Sequence, residues 1–240
     1  MSGFNKRVRR GIAGLTAIAA IGTASGCALP GSSASTADQQ LQTGYSYVAV
    51  PVAAQVPIYR QPSGRVLTRL ANPNGFGAPL VLLATQRQAD WIKVLLPIRP
   101  NGIAGWVPAS QIRLTVDPWR VTVNRSKHRL DVLYAGRSVS HSTVGVGAKS
   151  TPTPPGTFYI TSLLQQPDPS GAYGPFAFGL SGYSPVIKHF AGGPGELGLH
   201  GTDATWSIGE SVTHGCIRVP NDFISTLAGK LPLGTPVVVT

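Results

Sequence analysis

The chain has 240 residues, 42% of them hydrophobic, and carries 20 Lys and Arg against 9 Asp and Glu, a formal net charge of +11. Such a length suits one or two domains, and the cationic excess suits anionic polymers or lipid head groups as surroundings. The charge is dispersed, with no basic helix and no interleaved aromatic and basic residues, which argues against nucleic acid.

Residues 1–26 read as a signal peptide of lipoprotein type. Lys6, Arg7, Arg9 and Arg10 form a positive start, and residues 11–21 form an apolar stretch too short for an ordinary transmembrane helix. Ala24-Ser25-Gly26-Cys27 resembles a bacterial lipobox, with alanine where leucine would be stronger. Cys27 is then the lipidated first residue of the mature chain; ordinary cleavage nearby would leave it an exposed thiol. Without the four leader cations the net charge is about +7. The expected location is the outer face of the cytoplasmic membrane and the cell wall.

Residues 27–44 are rich in Ser, Ala, Gln and Thr and cannot bury a core, so they read as a flexible tether. From 45 to 115 the apolar residues come in short β-rich runs, at 48–52, 80–84, 91–95 and 103–107, separated by Pro, Gly and Asn turns. Five or six strands at this spacing predict a small β-barrel or sandwich. Val56-Pro57-Ile58-Tyr59-Arg60-Gln61-Pro62, then Trp91-Ile92-Lys93-Val94, then Gly105-Trp106-Val107-Pro108, resembles a bacterial SH3-like domain.

Residues 116–240 are also mainly β. Alternation at 120–124, 129–134 and 137–146 predicts an antiparallel meander, with further strands at 157–163 and 236–239. Residues 221–231 carry the one helical pattern, with Phe223, Ile224 and Leu227 on a face and Asp222 in the first turn. The Gly- and Pro-rich stretch 165–195 holds Tyr173, Phe176, Phe178, Tyr183 and Phe190. It reads as irregular, and either as a substrate lid or as a surface loop whose aromatics cover the sheet.

The chemistry concentrates at Thr213-His214-Gly215-Cys216. Only Cys27 and Cys216 occur in the chain, so Cys216 is the one thiol expected in the mature body of the protein. A thiol of ordinary pKa near 8.5 is only a few per cent thiolate at neutral pH, and a nearby imidazole can take its proton and make it a nucleophile. Glycine beside it allows a tight turn that brings N–H groups close to a reacting carbonyl. A buried, inert cysteine is the bland alternative. Zinc would need more ligands than two His and one Cys with no Cys-x-x-Cys pair, so no metal and no cofactor is expected. His200 and His214 are both candidate bases by proximity.

His200, Thr213, His214, Gly215, Cys216, Ile217, Arg218 and Asn221 resemble the signature of the L,D-transpeptidase (YkuD-type) catalytic domain. The segment Val144-Gly145-Val146-Gly147 and the Thr-Pro-rich turn 151–158 support the resemblance, which covers about residues 119–240. Two departures are Thr213, where serine is commoner, and a short spacing from His200. The resemblance implies a β-sandwich with one or two short helices, Cys216 as nucleophile and His200 as base, its ring held by the Gly201 carbonyl. It assigns His214 to the oxyanion region, with the N–H groups of Gly215 and Cys216 completing the hole. Gly201, Thr213, Arg218, Asn221 and Tyr183 are the expected substrate contacts. For Arg218 a substrate carboxylate and a structural partner such as Asp222 both stand open, and Asn221 is expected to cap the helix after it.

The implied function is a peptidoglycan L,D-transpeptidase, forming 3-3 cross-links through a thioester on a tetrapeptide stem and releasing D-alanine. L,D-carboxypeptidase action, with water as acceptor, and a non-catalytic wall-binding lipoprotein are the competing readings. Stem peptides, and the membrane through the anchor, are the expected partners of a monomer.

Overall fold

Short β-branched runs broken by Pro, Gly and Asn favour strands joined by tight turns, many of them paired antiparallel. The computed structural model of the protein describes residues 44–190 and 192–240. The leader 1–26 and the tether with Cys27 lie outside the described residues, Gly44 excepted.

The first seven strands are β1 (Ser46–Pro51), β2 (Gln55–Tyr59), β3 (Val66–Ala71), β4 (Leu82–Gln88), β5 (Trp91–Leu95), β6 (Ala104–Pro108) and β7 (Ile112–Asp117). They form one sheet in the order β3-β2-β6-β5-β4-β1-β7, with antiparallel pairings throughout. The four expected runs fall on β1, β4, β5 and β6. The count exceeds the expected five or six because β3 buries none of its residues, so its side chains carry little alternation.

The second group is β8 (Trp119–Asn124), β9 (Arg129–Tyr134), β10 (Arg137–Thr143), β11 (Val146–Gly147), β12 (Gly156–Gln165), β13 (Phe176–Tyr183), β14 (Glu196–His200), β15 (Ser211–Thr213), β16 (Ile217–Arg218), helix α1 (Asn221–Ala228) and β17 (Pro236–Val239). Eight of these strands make a sheet in the order β10-β9-β8-β17-β12-β13-β14-β16, and β11 pairs with β15 in parallel. Val121, Val123, Leu130, Val132, Phe178 and Val237 are buried in its core, and α1 closes that core with Ile224 and Leu227. The molecule is mainly β, as the patterning predicts.

One stretch departs from expectation. Residues 165–195 are not irregular throughout, because β13 runs through their middle and pairs with β12 and β14. Its glycines, which suggested a loop, are there for close packing. A Cβ on Gly179 would stand 2.5 Å from Ser162 Oγ, and one on Gly182 would stand 2.4 Å from the Phe158 ring.

Tyr159 joins the two sheets. It belongs to β12, yet its fully buried ring sits in the core of the first sheet and its hydroxyl donates to the Leu95 carbonyl at 3.1 Å. Asn74 Nδ2 donates to the Thr161 carbonyl at 3.0 Å, and Asn101 exchanges bonds of 2.8 and 2.9 Å with the Tyr183 backbone. Arg99 donates to the carbonyls of Ser184, Ile187 and Pro194, fastening both ends of the 184–195 loop to the first sheet. Tyr159→Phe is expected to cost about 1 kcal/mol for the lost hydroxyl bond, and Tyr159→Ala about 3–5 kcal/mol for the emptied core. Urea denaturation of the purified variants measures both.

Candidate active site

The parallel pairing of β14 with β16, in the register Leu199↔Ile217 and His200↔Arg218, builds the site. It sets Cys216, just before β16, beside Gly198, just before Leu199. Side chains alternate along a strand, so Glu196, Gly198 and His200 share one face of β14. Glycine at the middle position leaves room for the thiol: a Cβ there would stand 3.6 Å from Cys216 Sγ and 3.6 Å from His200 Cδ2. Thiol and imidazole thus flank one point. They open on a cavity of about 320 Å³ lined also by Tyr173, Phe190, Glu196 and Phe76.

His200 is 4% exposed, and its Nδ1–H donates to the Gly201 carbonyl at 2.5 Å. That bond fixes the tautomer and leaves Nε2 as an acceptor. Burial, aided by the Arg218 charge and opposed by the Gly201 bond, lowers the ring's pKa to about 4. Burial also raises the Cys216 thiol above its ordinary value, against smaller opposite effects of the Gly198 backbone and Arg218. Both shifts favour the uncharged forms. At rest the pair is a neutral thiol beside a neutral imidazole able to accept a proton over the whole neutral range.

Threonines hold the turn. Gly215 has φ +116°, a left-handed conformation that a side chain would strain. Thr213 is buried; its hydroxyl donates to the Cys216 carbonyl at 2.6 Å and accepts the Gly215 N–H at 3.1 Å. Thr151 and Thr153 donate to the carbonyls of Thr213 and Gly215, each at 2.8 Å. The Thr-Pro-rich segment therefore buttresses the Cys216 turn.

These bonds correct several expectations. The Gly215 N–H, assigned to an oxyanion hole, is already donated to Thr213; the N–H groups of His214 and Cys216 have no acceptor among the described residues. Thr213, named as a substrate contact, spends its hydroxyl on bonds within the turn. Tyr183 does not line the Cys216 cavity: its hydroxyl donates to the Pro97 carbonyl at 2.8 Å, and the Arg99 guanidinium lies 4.7 Å from its ring centre. Asn221 does not cap α1, whose cap position is Pro220; its Oδ1 accepts the Thr202 N–H at 2.8 Å. Gly201 meets that same Asn221 oxygen so closely that a Cβ would stand 2.3 Å from it. Asn221 and Gly201 thus hold the segment after His200.

Arg218 makes no ion pair with Asp222, and its buried Nε has no partner among the described residues. His214 is exposed, with its ring 5.6 Å from that of Phe190. Among the described residues no group of three His, Cys, Asp or Glu could hold a metal ion, and no helix is long and apolar enough to cross a membrane. Sequence reasoning missed Gly198, Phe76 and Glu196, and it named Tyr173 only as a loop aromatic, although that ring lies 4.8 Å from His200. Adjacency to Leu199-His200 was the only signal for Gly198.

A half-buried thiol beside a buried, neutral imidazole on the wall of one cavity is an arrangement able to carry nucleophilic chemistry. Residues 118–239 match the family model described as YkuD, the L,D-transpeptidase catalytic domain, and the chain belongs to that family. It is 34% identical over 123 residues to the YkuD protein of Bacillus licheniformis and 32% over 122 residues to that of Bacillus subtilis. Each match takes in 51% of this chain and 66% of the relative, so the chain spans just under two thirds of those relatives' length. Among solved structures, the Enterococcus faecium L,D-transpeptidase is 20% identical, covering 51% of this chain and 49% of its own, with a TM-score of 0.40. The Mycobacterium smegmatis L,D-transpeptidase is 18% identical, covering 67% and 90%, with a TM-score of 0.41.

Two predictions follow from the geometry. Iodoacetamide alkylation of Cys216 is expected to rise only toward and above the ordinary thiol range, because the folded thiol pKa is raised and His200 is uncharged above about 4. The plateau between about pH 5 and 8 that an imidazolium–thiolate pair gives should be missing; alkylation rate against pH reads this directly. Thr213→Val leaves the Gly215 N–H unpaired and should lower stability by about 1–3 kcal/mol. Thr213→Ser keeps the hydroxyl and should stay close to the native protein in thermal melting.

Proposed function

We propose that the protein is a peptidoglycan L,D-transpeptidase that forms 3-3 cross-links. The observation that carries this reading is the pairing of Cys216 with a buried, neutral His200 across Gly198. In the proposed reaction the His200 Nε2 takes the thiol proton as sulfur attacks the carbonyl of a tetrapeptide stem. A thioester forms, and D-alanine leaves as the amine protonated by His200. The amine of a second stem then resolves the thioester. The charge on the tetrahedral oxygen falls to the unengaged N–H groups of Cys216 and His214, each worth about 3 kcal/mol in comparable sites. The uncompensated guanidinium of Arg218 suits the carboxylate of the departing residue. Residues 45–115 serve in this reading as an SH3-like module directed to the wall, and lipidated Cys27 holds the exported chain at the outer face of the cytoplasmic membrane.

Purified protein with tetrapeptide muropeptides is expected to yield dimers linked 3-3 by mass spectrometry. Tripeptide monomers alone would mean hydrolysis, and no product at all would refute the acyl-enzyme. A carbapenem should leave one covalent adduct, lost in Cys216→Ser. His200→Ala should slow adduct formation by about 10²–10⁴-fold, the usual loss with a general base.

A further inference from the structure

Beside the thiol cavity lies a second one of about 190 Å³, and the two share Phe76 and Glu196 in their walls. Phe76 comes from the first sheet's β3–β4 loop, where the Asn74 side chain accepts the N–H groups of Phe76 and Ala78 and donates to the Thr161 carbonyl. The loop is therefore pinned onto β12, next to the site.

Glu196 is unusual in this cationic chain. It is half-buried, it makes no ion pair among the described residues, and its carboxylate's one polar neighbour, the Tyr183 hydroxyl, is 3.4 Å away and directs its proton to the nearer Pro97 carbonyl at 2.8 Å. Taking a carboxylate partly out of water without a cation is costly unless a ligand supplies one. Two further groups lack partners. Ser162, 1% exposed, lines the thiol cavity, and Thr161, 9% exposed, lines the second; neither hydroxyl has a hydrogen bond. Both lie over Gly179, within 3.2 Å of where its Cβ would stand.

We propose that the cavity shared by Phe76 and Glu196 is the acceptor subsite, in which the Glu196 carboxylate receives the primary ammonium of the incoming peptide side chain. The inference rests on the transpeptidase reading and names how its second substrate is recognised. Strand geometry supports it: Glu196, Gly198 and His200 stand in a row on β14, about 7 Å apart from one to the next. The thiol thus lies between a carboxylate at one end and the base at the other, and Arg218 pairs in register with His200 at the far end. An anionic leaving residue and a cationic acceptor are drawn to opposite sides of the same sulfur. Phe76 supplies an apolar wall for the methylene stem of the amine.

In the transfer step the ammonium loses one proton to water and its nitrogen attacks the thioester carbonyl. The N–C bond forms and the C–S bond breaks. The second nitrogen proton passes through His200 to sulfur, leaving an amide and a neutral thiol.

The test follows dimer and tripeptide products from tetrapeptide muropeptides. Glu196→Gln is expected to raise the KM for the acceptor about tenfold and to shift products toward tripeptide by a similar factor. Glu196→Asp should recover part of the loss. An unchanged dimer-to-tripeptide ratio in Glu196→Gln would overturn the proposal. Should the Glu196 variants fail to fold, Cys216→Ala protein titrated with tripeptide, its side-chain amine free or acetylated, decides: acetylation should weaken binding, and equal affinity would overturn the subsite. Failure of the native protein to form a thioester with tetrapeptide or carbapenem would instead remove the transpeptidase reading beneath it.

Discussion

The parallel pairing of β14 with β16 is the constraint on which the site depends. Two hydrogen-bonded strands only a few residues long bring segments eighteen positions apart into register, so that Cys216 meets Gly198 and His200 meets Arg218. A slip of one residue would turn the His200 ring to the other face of the sheet, since side chains alternate strictly. The core guards against it: Leu199 and Ile217 are both buried, and a slip would carry them out of the apolar interior. The same apolar contacts that stabilise the sheet therefore fix the geometry of thiol and imidazole.

Around that register the chain uses short polar side chains as clamps. Thr151, Thr153 and Thr213 hold the Cys216 turn, while Asn221 holds the backbone just after His200. A carbonyl and not a carboxylate orients the ring, which leaves the imidazole uncharged in its buried position. Burial then acts on both partners in the same direction. The uncharged forms are favoured in both groups, and a buried ion pair without further solvation would be expensive to keep.

The first sheet is more than an appendage in this arrangement. Tyr159 is rooted in its core, Arg99 fastens both ends of the 184–195 loop, and the loop carrying Phe76 reaches the cavity wall. The thiol cavity thus has walls from both sheets. Changes at Arg99 or Asn74 reach the cavity through backbone carbonyls, without either side chain touching Cys216.

The sequence by itself determined the β class, the positions of most strands in 119–239, the helix after Asn221, and the cluster His200 to Asn221. Each of these is written locally, as period-two alternation, as helical spacing, or as a contiguous motif. It did not show the hydrogen bonds made within that cluster. Thr213 and Gly215 look like site residues in sequence, but hydrogen bonds inside the turn consume them. Tyr183 looks like a lid aromatic, but its hydroxyl is bound to Pro97. β13 was obscured because its glycines serve close packing against Phe158 and Ser162, a demand made by neighbours distant in the chain. Glu196 and Phe76 carry no local signal at all. Their place beside the thiol follows from sheet order and from the docking of one sheet on the other, and only the tertiary structure decides those, since they arise from contacts between segments that sequence spacing does not relate.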